Sequence, residues 1–180
     1  MATAITHALV GGVLGGAAPR RYPVGRLALA GALLAALPDL DVVAFGLGIP
    51  YAHPLGHRGF THSLLFAVAA GAVGAWVVLG RRVRSRDGLG AVAILTLAAA
   101  SHGFLDAFTD AGLGVGLFIP LSDARIFFPW RPLFTSPIGV DAFFSGPALA
   151  ILWNEMLWVW LPVLGLALAV GLRRLRGRDA

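Results

Sequence analysis

The sequence has 180 residues, of which 58% are hydrophobic and only 13% are charged. Soluble domains usually carry about a quarter charged residues, so this composition excludes an ordinary water-soluble fold and indicates an all-α, polytopic membrane helix bundle. The chain has no cysteine, which excludes a disulfide framework and thiolate metal ligands. The net charge of +5 could suggest a nucleic-acid partner. However, the arginines cluster between apolar segments, as the positive-inside rule explains, and we expect no nucleic-acid binding.

Five hydrophobic segments follow one another, and we interpret residues 1–180 as a single membrane-embedded domain built from them. They cover about residues 5–18, 24–37, 61–79, 88–108 and 148–172. A spanning helix needs roughly 20 apolar residues, so the first two segments are short and require burial against neighbours or local thinning of the bilayer. Pro38 is expected to end the second helix. No positive charge precedes the first segment, which favours a retained helix over a signal peptide.

The arginines predict the orientation of the chain, because three clusters of them follow the first, third and fifth segments. The clusters are Arg20, Arg21 and Arg26; Arg81, Arg82, Arg84 and Arg86; and Arg173, Arg174, Arg176 and Arg178. The positive-inside rule puts all three clusters on the cytoplasmic side of the inner membrane, with the N-terminus outside. Arg58, Arg125 and Arg131 then fall on the outer side, against the charge rule, and require another explanation.

Most of the remaining ionisable side chains fall at the outer ends of the segments. The motif LPDLD places Asp39 and Asp41 after the second segment, where an extended backbone would turn both carboxylates to one side. The motif HRGFTHSLLF places His57 and His62 before the third segment. Thr61 is expected to be the N-cap of that helix, which would let both histidines reach one ion.

Three further segments contribute to the same outer layer. In SHGFLDAFTD, His102 and Asp106 are four residues apart, so on a helix they share one face. His7 lies at the outer start of the first segment and is a further candidate ligand. Glu155 lies near the outer end of the fifth segment. It could be a ligand, a general base or the partner of one of the three outer arginines.

A divalent metal ion would explain why these groups collect at one depth. An ionised aspartate in a bilayer costs roughly 2.5–3.5 kcal/mol at the centre, and several carboxylates without a lysine nearby repel one another. Imidazole and carboxylate ligands suit zinc, with manganese or iron as alternatives. The candidate ligands are Asp39, Asp41, His57, His62, His102, Asp106 and His7. Taken singly, each could instead be a cap or a hydrogen-bonded structural residue.

The motifs LPDLD, HRGFTHS and SHGFLDAFTD resemble the signature of the YdjM-like family of bacterial and archaeal inner-membrane proteins. The later stretches FIPLSDARIFFPW and SPIGVDAFFSG are also similar to that family, so the resemblance runs from His7 to about Pro162. It implies a metal-dependent hydrolase. The resemblance also implies a set of metal-site residues, namely Asp39, Asp41, His57, His62, His102 and Asp106, with His7 matching an early TH pattern.

We therefore expect an outward-facing, metal-dependent hydrolase that acts on a lipid or lipid-linked ester, with a phosphoester favoured. Asp41 or Glu155 would accept a proton, and Arg58, with another outer arginine, would hold an anionic group. A G-x-S-x-G elbow is missing, so Ser63 is a poor nucleophile.

Two alternatives remain open. A metal-ion or proton transporter or channel would also place ionisable groups in the membrane, although the inner halves of the last three segments carry almost no polar residues. The third interpretation is a membrane scaffold with a structural metal site.

Overall fold

The computed structural model describes residues 1–18 and 21–176. Arg20 and Arg178, which belong to the predicted arginine clusters, lie outside the described residues. The described part of the chain forms α-helices joined by 3₁₀ turns, one π turn and loops. In chain order the α-helices are α1 (Ala4–Gly16), α2 (Val24–Ala36), α3 (Val43–Gly46), α4 (Leu64–Leu79), α5 (Arg86–Ala107), α6 (Val140–Phe144), α7 (Ala148–Glu155) and α8 (Leu161–Arg176).

Within the described residues, four helical stretches are long and apolar enough to cross a membrane, and α1 is a shorter apolar helix beside them. The four stretches are Val24–Gly46, Leu64–Arg84, Arg86–Ala107 and Ala148–Leu172. They confirm the expected all-α, polytopic bundle of about five hydrophobic segments. The loops 47–63 and 108–139 connect the ends of α3, α4, α5 and α6 at one end of this bundle.

The second segment continues beyond Pro38 instead of ending there. Leu37–Val42 forms a 3₁₀ helix that starts directly after α2 and leads into α3. Pro38 sits in the first turn of this 3₁₀ helix, a position in which proline is tolerated. The expectation of an extended backbone at Asp39 and Asp41 was therefore wrong. In a 3₁₀ helix, the side chains of residues two apart point about 120° apart around the axis, so the two carboxylates face different neighbours.

The short helix α1 is held by close backbone packing against α2. A Cβ atom on Gly31 would overlap the carbonyl oxygen of Gly11, and a Cβ atom on Gly15 would overlap the carbonyl oxygen of Leu27. Small residues at such contacts let two helix backbones approach and pack, which is a common basis of association in membranes. This packing explains how a 13-residue helix is retained in the bundle.

Two of the three arginines predicted to lie on the outer side join the loops on either side of α4 and α5. Arg58 Nη1 donates hydrogen bonds to the carbonyl oxygens of Ala111 and Leu113, at 3.2 and 2.9 Å. Arg125 donates across the same gap to three carbonyl oxygens of the first loop, those of Tyr51, His53 and His57. Unpaired carbonyl groups in this region would otherwise be costly to bury. These hydrogen bonds between the two loops give Arg58 and Arg125 a structural role, which would explain why they lie against the charge rule in the predicted orientation.

Candidate metal centre

His102 of α5 has one ring nitrogen engaged by the backbone. Its Nδ1 atom lies 2.6 Å from the carbonyl oxygen of Ala35 at the end of α2. A carbonyl oxygen can only accept, so Nδ1 carries the hydrogen and Nε2 carries a lone pair. This tautomer is assigned from the hydrogen-bond partner. The helix contact between α2 and α5 thus presents the lone pair of His102 to the interior of the bundle.

His62, in the 3₁₀ turn Phe60–His62 before α4, is oriented in a similar way. Its Nδ1 atom lies 3.2 Å from Oδ2 of Asp41. Thr61 Oγ1 donates to the same carboxylate oxygen at 2.8 Å. A carboxylate accepts, so the hydrogen of His62 is assigned to Nδ1 and the lone pair to Nε2.

The two lone pairs converge, since Nε2 of His62 and Nε2 of His102 are 2.9 Å apart. Two carboxylates flank them. Asp39 Oδ1 is 3.4 Å from Nε2 of His102, and Asp106 Oδ2 is 3.6 Å from Nε2 of His62. Ligands of a tetrahedral zinc ion at about 2.0–2.1 Å are roughly 3.3 Å from one another. Two nitrogens and two oxygens therefore have the mutual spacing of a compact cation site.

The two carboxylates of this group differ in their protein partners. Asp106 Oδ1 accepts a hydrogen bond from the backbone N–H of Ala2 at 2.8 Å and its Oδ2 lies 3.1 Å from Arg58 Nε, whereas neither oxygen of Asp39 has a donor among the described residues. Both oxygens of Asp39 and Oδ2 of Asp106 are buried without a hydrogen-bond partner among the described residues. Buried polar atoms are nearly always paired, and an unpaired charge in a low-dielectric region is costly. A divalent cation fits this donor set, and the four residues could hold it. The four residues, which we call the inner ligand group, are Asp39, His62, His102 and Asp106.

Asp41, His57 and His62 form a second group that could hold an ion. In this group, however, the carboxylate already has protein partners. Asp41 Oδ1 is 2.6 Å from His57 Nδ1, and Oδ2 accepts from the backbone N–H of Arg58 and from the hydroxyl of Thr61. This geometry suits a role for Asp41 and His57 in orienting His62. Direct ligation by Asp41 and His57 stays a prediction.

The pKa of His62 is raised to about 9 from its ordinary value of 6.5. Burial of the fully enclosed ring lowers the pKa, but hydrogen bonds and charge interactions with Asp106 and Asp41 raise it by more. In the absence of a cation, a proton can therefore lie between the two facing imidazoles. A proton and a metal ion compete for the same lone pairs.

His7 of α1 lies directly beside the inner ligand group. Its ring stacks on the ring of His102 with a centroid distance of 3.7 Å, and its Nε2 atom is 3.4 Å from Asp106 Oδ1. Both ring nitrogens are buried, and neither has a hydrogen-bond partner in the part of the chain that the structure describes. Its position is compatible with an additional ligand, which remains a prediction.

Arg58 is a buried counter-ion of the inner ligand group. Its Nε atom lies 3.1 Å from Asp106 Oδ2, and its Nη2 atom donates to Thr109 Oγ1 at 2.8 Å. The residue has φ = 59°, in the left-handed region that non-glycine residues rarely adopt. Together with the hydrogen bonds to the two loop carbonyls described above, these contacts engage Nε, Nη1 and Nη2 of Arg58. They favour a structural and electrostatic role over the predicted contact with a substrate anion.

Glu155 ends α7 and belongs to a separate polar network with the start of α1. Its carboxylate accepts from the backbone N–H and the hydroxyl of Thr3, both at 2.6 Å, and from the hydroxyl of Thr6 at 2.7 Å. Trp160 Nε1 also donates to Thr6 Oγ1. Within residues 1–18 and 21–172, no arginine forms an ion pair with Glu155. The network ties α1 to the last spanning stretch.

Two local expectations near the start of α4 change. Ser63, not Thr61, is the N-cap of α4, because Ser63 Oγ accepts from the backbone N–H of Phe66 at 3.1 Å. The hydroxyl of Thr61 instead donates a hydrogen bond to Asp41.

His53 is exposed and its Nδ1 atom accepts from the N–H of Leu55, so it lies outside both ligand groups. Sequence reasoning also missed the carbonyl of Ala35, because a backbone acceptor leaves no residue-type signal.

Comparison with known proteins agrees with the membrane fold. Residues 1–179 match the family described as YdjM inner membrane protein. The chain is also 38% identical, over 162 residues, to the inner membrane protein YbcI of Escherichia coli (strain K12), and the aligned region covers 90% of this chain and 92% of that protein. No solved structure matches the chain. This protein therefore belongs to the YdjM inner membrane protein family.

Proposed function

We propose that this protein is a metal-dependent hydrolase of the inner membrane that acts on a lipid or a lipid-linked phosphoester. The observation that carries the proposal is the 2.9 Å approach of the Nε2 lone pairs of His62 and His102 between two buried carboxylates. Strongly perturbed ionisable groups gathered in one place are characteristic of functional sites. A purely structural pair of imidazoles would not require a buried carboxylate without donors beside it, and Asp39 is such a carboxylate.

The inner ligand group would hold the ion, and its two imidazoles and two carboxylates favour zinc, with manganese or iron as alternatives. When bound, a divalent cation supplies a Lewis acid that can polarise a phosphoryl or carbonyl oxygen. His7 is the candidate for a further ligand. In this proposal Asp41 orients His62, and the carbonyl of Ala35 orients His102; the short contacts of both histidine Nδ1 atoms support these roles.

Asp39 is the best placed proton acceptor in this proposal. Its two oxygens have no donors among the described residues, so one can hold the cation while the other takes a proton from water. Asp41 and Glu155, the acceptors predicted from the sequence, would first have to give up short hydrogen bonds. We therefore propose Asp39 for the proton and keep Asp41 and Glu155 in positioning roles.

Among the outer arginines, Arg131 is the most available for an anionic group of the substrate. Its side chain is exposed, its hydrogen bond to the carbonyl of Asp110 is long at 3.5 Å, and it lies over the ring of Phe127. Arg58 and Arg125 are engaged by loop carbonyls. A lipid-linked substrate is favoured because the site lies in a membrane bundle, where such a molecule can arrive by lateral diffusion. A bidentate arginine contact suits a phosphate group.

Metal analysis combined with a hydrolysis screen tests the proposal. The purified wild type, His102→Ala and the exposed-histidine control His53→Ala are reconstituted and analysed for bound zinc, manganese and iron. The same samples are then incubated with phospholipids and with polyprenyl phosphoesters. We expect the wild type and His53→Ala to bind metal and release phosphate or a phosphorylated headgroup, and His102→Ala to lose both properties.

Other outcomes would reject parts of this proposal. Equal metal content in all three proteins would mean that the ligand group is wrong. Metal bound at His102 without hydrolysis of any substrate would favour a structural site. Metal uptake into liposomes that depends on His102 would favour a transporter.

A further inference from the structure

Glu155 is a buried carboxylate that lies outside both ligand groups of the metal centre. It ends α7, has no exposed surface, and accepts three hydrogen bonds, of 2.6, 2.6 and 2.7 Å, from Thr3 and Thr6 at the start of α1. Capping of α1 does not require it, because the hydroxyl of Thr3 already accepts from the backbone N–H of Thr6. An ionised group in a membrane bundle is expensive, so a buried carboxylate that is not needed as a cap indicates a further role.

The helix after Glu155 brings a second side chain to the same turn of α1. The π turn Met156–Trp160 follows Glu155 directly, and the N–H of Leu161 bonds to the carbonyl oxygen of Met156, five residues earlier. In a regular α-helix, residues five apart lie about 140° apart around the axis. The wider π turn reduces this angle, and Trp160 Nε1 reaches the hydroxyl of Thr6, which itself donates to Glu155. Single π turns within helices are frequent at functional sites.

The position of Thr3 controls two contacts between the start of α1 and the metal centre. The residue before it, Ala2, donates its backbone N–H to Asp106 Oδ1 at 2.8 Å. The backbone N–H of His7 bonds to the carbonyl oxygen of Thr3 at 3.1 Å, and the ring of His7 stacks on that of His102. A displacement of Thr3 would therefore move both contacts together.

The backbone N–H of Ala2 occupies one oxygen of Asp106 and leaves the other directed at the ligand group. Oδ1 accepts this hydrogen bond, and Oδ2 lies 3.6 Å from Nε2 of His62. The position of this N–H group depends on the next residue, Thr3, because Glu155 binds Thr3 through both its backbone N–H and its hydroxyl. Loss of an outer partner that orients a metal ligand commonly weakens metal binding about 10–100-fold.

We propose that Glu155 is a positioning residue of the metal centre, and that it acts through Thr3 on Asp106 and His7. It fixes the first turn of α1, so that the N–H of Ala2 holds Oδ1 of Asp106 while Oδ2 stays directed at the inner ligand group. This inference rests on the metal binding of the proposed function and deepens it, but it does not depend on the hydrolysis of any substrate.

Zinc affinity and the spectrum of bound cobalt(II) test this role in the purified protein in detergent. Glu155→Ala removes all three acceptor contacts, and Glu155→Gln keeps an acceptor for the N–H of Thr3. Asn154→Ala is the matched control, because Asn154 is the neighbouring buried residue of α7 and its side chain bonds to the backbone of Pro132 and Phe134 in the loop after α5. Competition with a chelator measures affinity, the visible absorption of saturating cobalt(II) reports coordination geometry, and chemical unfolding measures stability.

We expect Glu155→Ala to weaken zinc binding about 10–100-fold and to change the cobalt spectrum, and Glu155→Gln to recover most of the lost affinity. Asn154→Ala should lower the free energy of unfolding but match the wild type in zinc affinity and cobalt spectrum. A Glu155→Ala protein that loses stability alone would overturn the proposal. So would an Asn154→Ala protein that loses as much zinc affinity as Glu155→Ala.

Thr6→Val provides the same comparison if Glu155→Ala does not fold, since it removes one hydrogen bond to the carboxylate and keeps the shape of the side chain. It should weaken zinc binding by a smaller factor, and unchanged binding would overturn the proposal. The results also separate this inference from the proposed hydrolase. Zinc binding that depends on Glu155 without hydrolysis of any substrate supports the positioning role and rejects the hydrolase, whereas a wild type that binds no metal overturns both.

Discussion

The guanidinium of Arg58 and the carboxylate of Asp106 form an ion pair with Nε and Oδ2 3.1 Å apart, and neither side chain has exposed surface. The pair connects the loop before α4 to the end of α5. Removing one partner of a buried pair leaves the other charge uncompensated and typically destabilises a protein by about 3–5 kcal/mol. We expect Arg58→Met to lower the free energy of unfolding by about this amount, as measured by chemical unfolding in detergent micelles.

The matched control for this prediction is Arg131→Met. Arg131 is exposed and its carbonyl contact is long, so the same substitution should change the free energy of unfolding by less than about 1 kcal/mol. Similar losses of stability in both variants would contradict the structural role assigned to Arg58.

Asp39 and Asp41 are expected to affect metal binding by different amounts. Asp39→Asn removes a charged member of the inner ligand group and should abolish measurable zinc binding at micromolar concentrations. Asp41→Asn removes the acceptor that orients His62 and should weaken zinc binding about 10–100-fold without abolishing it. Isothermal titration with zinc measures both, and His53→Ala is the control that should match the wild type. If Asp41→Asn abolishes binding as completely as Asp39→Asn, then Asp41 is itself a ligand.

The metal-free protein should lose stability as the pH rises from about 6.5 to about 9. The pKa of His62 is about 9 in the folded protein and 6.5 ordinarily, because Asp106 and Asp41 raise it more than burial lowers it. A raised pKa contributes stability that is complete below the unfolded value and disappears as the pH passes the folded value. The full contribution is about 3 kcal/mol. Unfolding in the presence of a chelator, at several pH values between 6 and 9.5, measures it.

Bound metal should reverse this trend, because a cation requires the deprotonated lone pair of His62 and binds more tightly as the pH rises. With saturating zinc, the free energy of unfolding should therefore hold steady or increase over the same pH range. A zinc-loaded protein that loses stability exactly as the metal-free protein does would argue against a cation between the two imidazoles.

The sequence predicted which side chains meet because ionisable groups are rare in so apolar a chain. The i, i+4 spacing of His102 and Asp106 needs only a regular helix, and α5 supplies it. His62 joins them as expected. In contrast, the different surroundings of Asp39, in the inner ligand group, and Asp41, beside His57, depend on a 3₁₀ helix where an extended backbone was expected. A proline limits the conformations of its neighbours but does not decide between these two paths.

The role of Arg58 was also beyond sequence reasoning. The predicted topology put Arg58 on the outer side, and an anion-binding role was predicted from its charge alone. Its partners include the carbonyls of Ala111 and Leu113, which become neighbours only through the path of the loop after α5. Carbonyl groups are present at every residue, so sequence patterns cannot indicate which of them will be close.

The glycine contact between α1 and α2 gives a sharp test of the packing. Gly31→Ala would place a Cβ atom against the carbonyl oxygen of Gly11, whereas Gly25→Ala in the first turn of α2 meets no atom within 4 Å. Overpacking of this kind typically costs about 1–3 kcal/mol. We expect Gly31→Ala to reduce both thermal stability and metal content, because α1 carries His7 beside the ligand group. Gly25→Ala should leave both unchanged, and equal effects of the two substitutions would contradict the helix contact.

The orientation predicted from the arginines can be tested by cysteine labelling, since the chain has no cysteine of its own. Asp123→Cys introduces an exposed thiol in the loop after α5, and Arg84→Cys introduces one in the turn between α4 and α5. If the arginine clusters are cytoplasmic, a membrane-impermeant maleimide should label Asp123→Cys in intact spheroplasts. It should label Arg84→Cys only after the membrane is permeabilised. The reverse pattern would place the metal centre near the cytoplasmic face and would exclude an extracytoplasmic substrate.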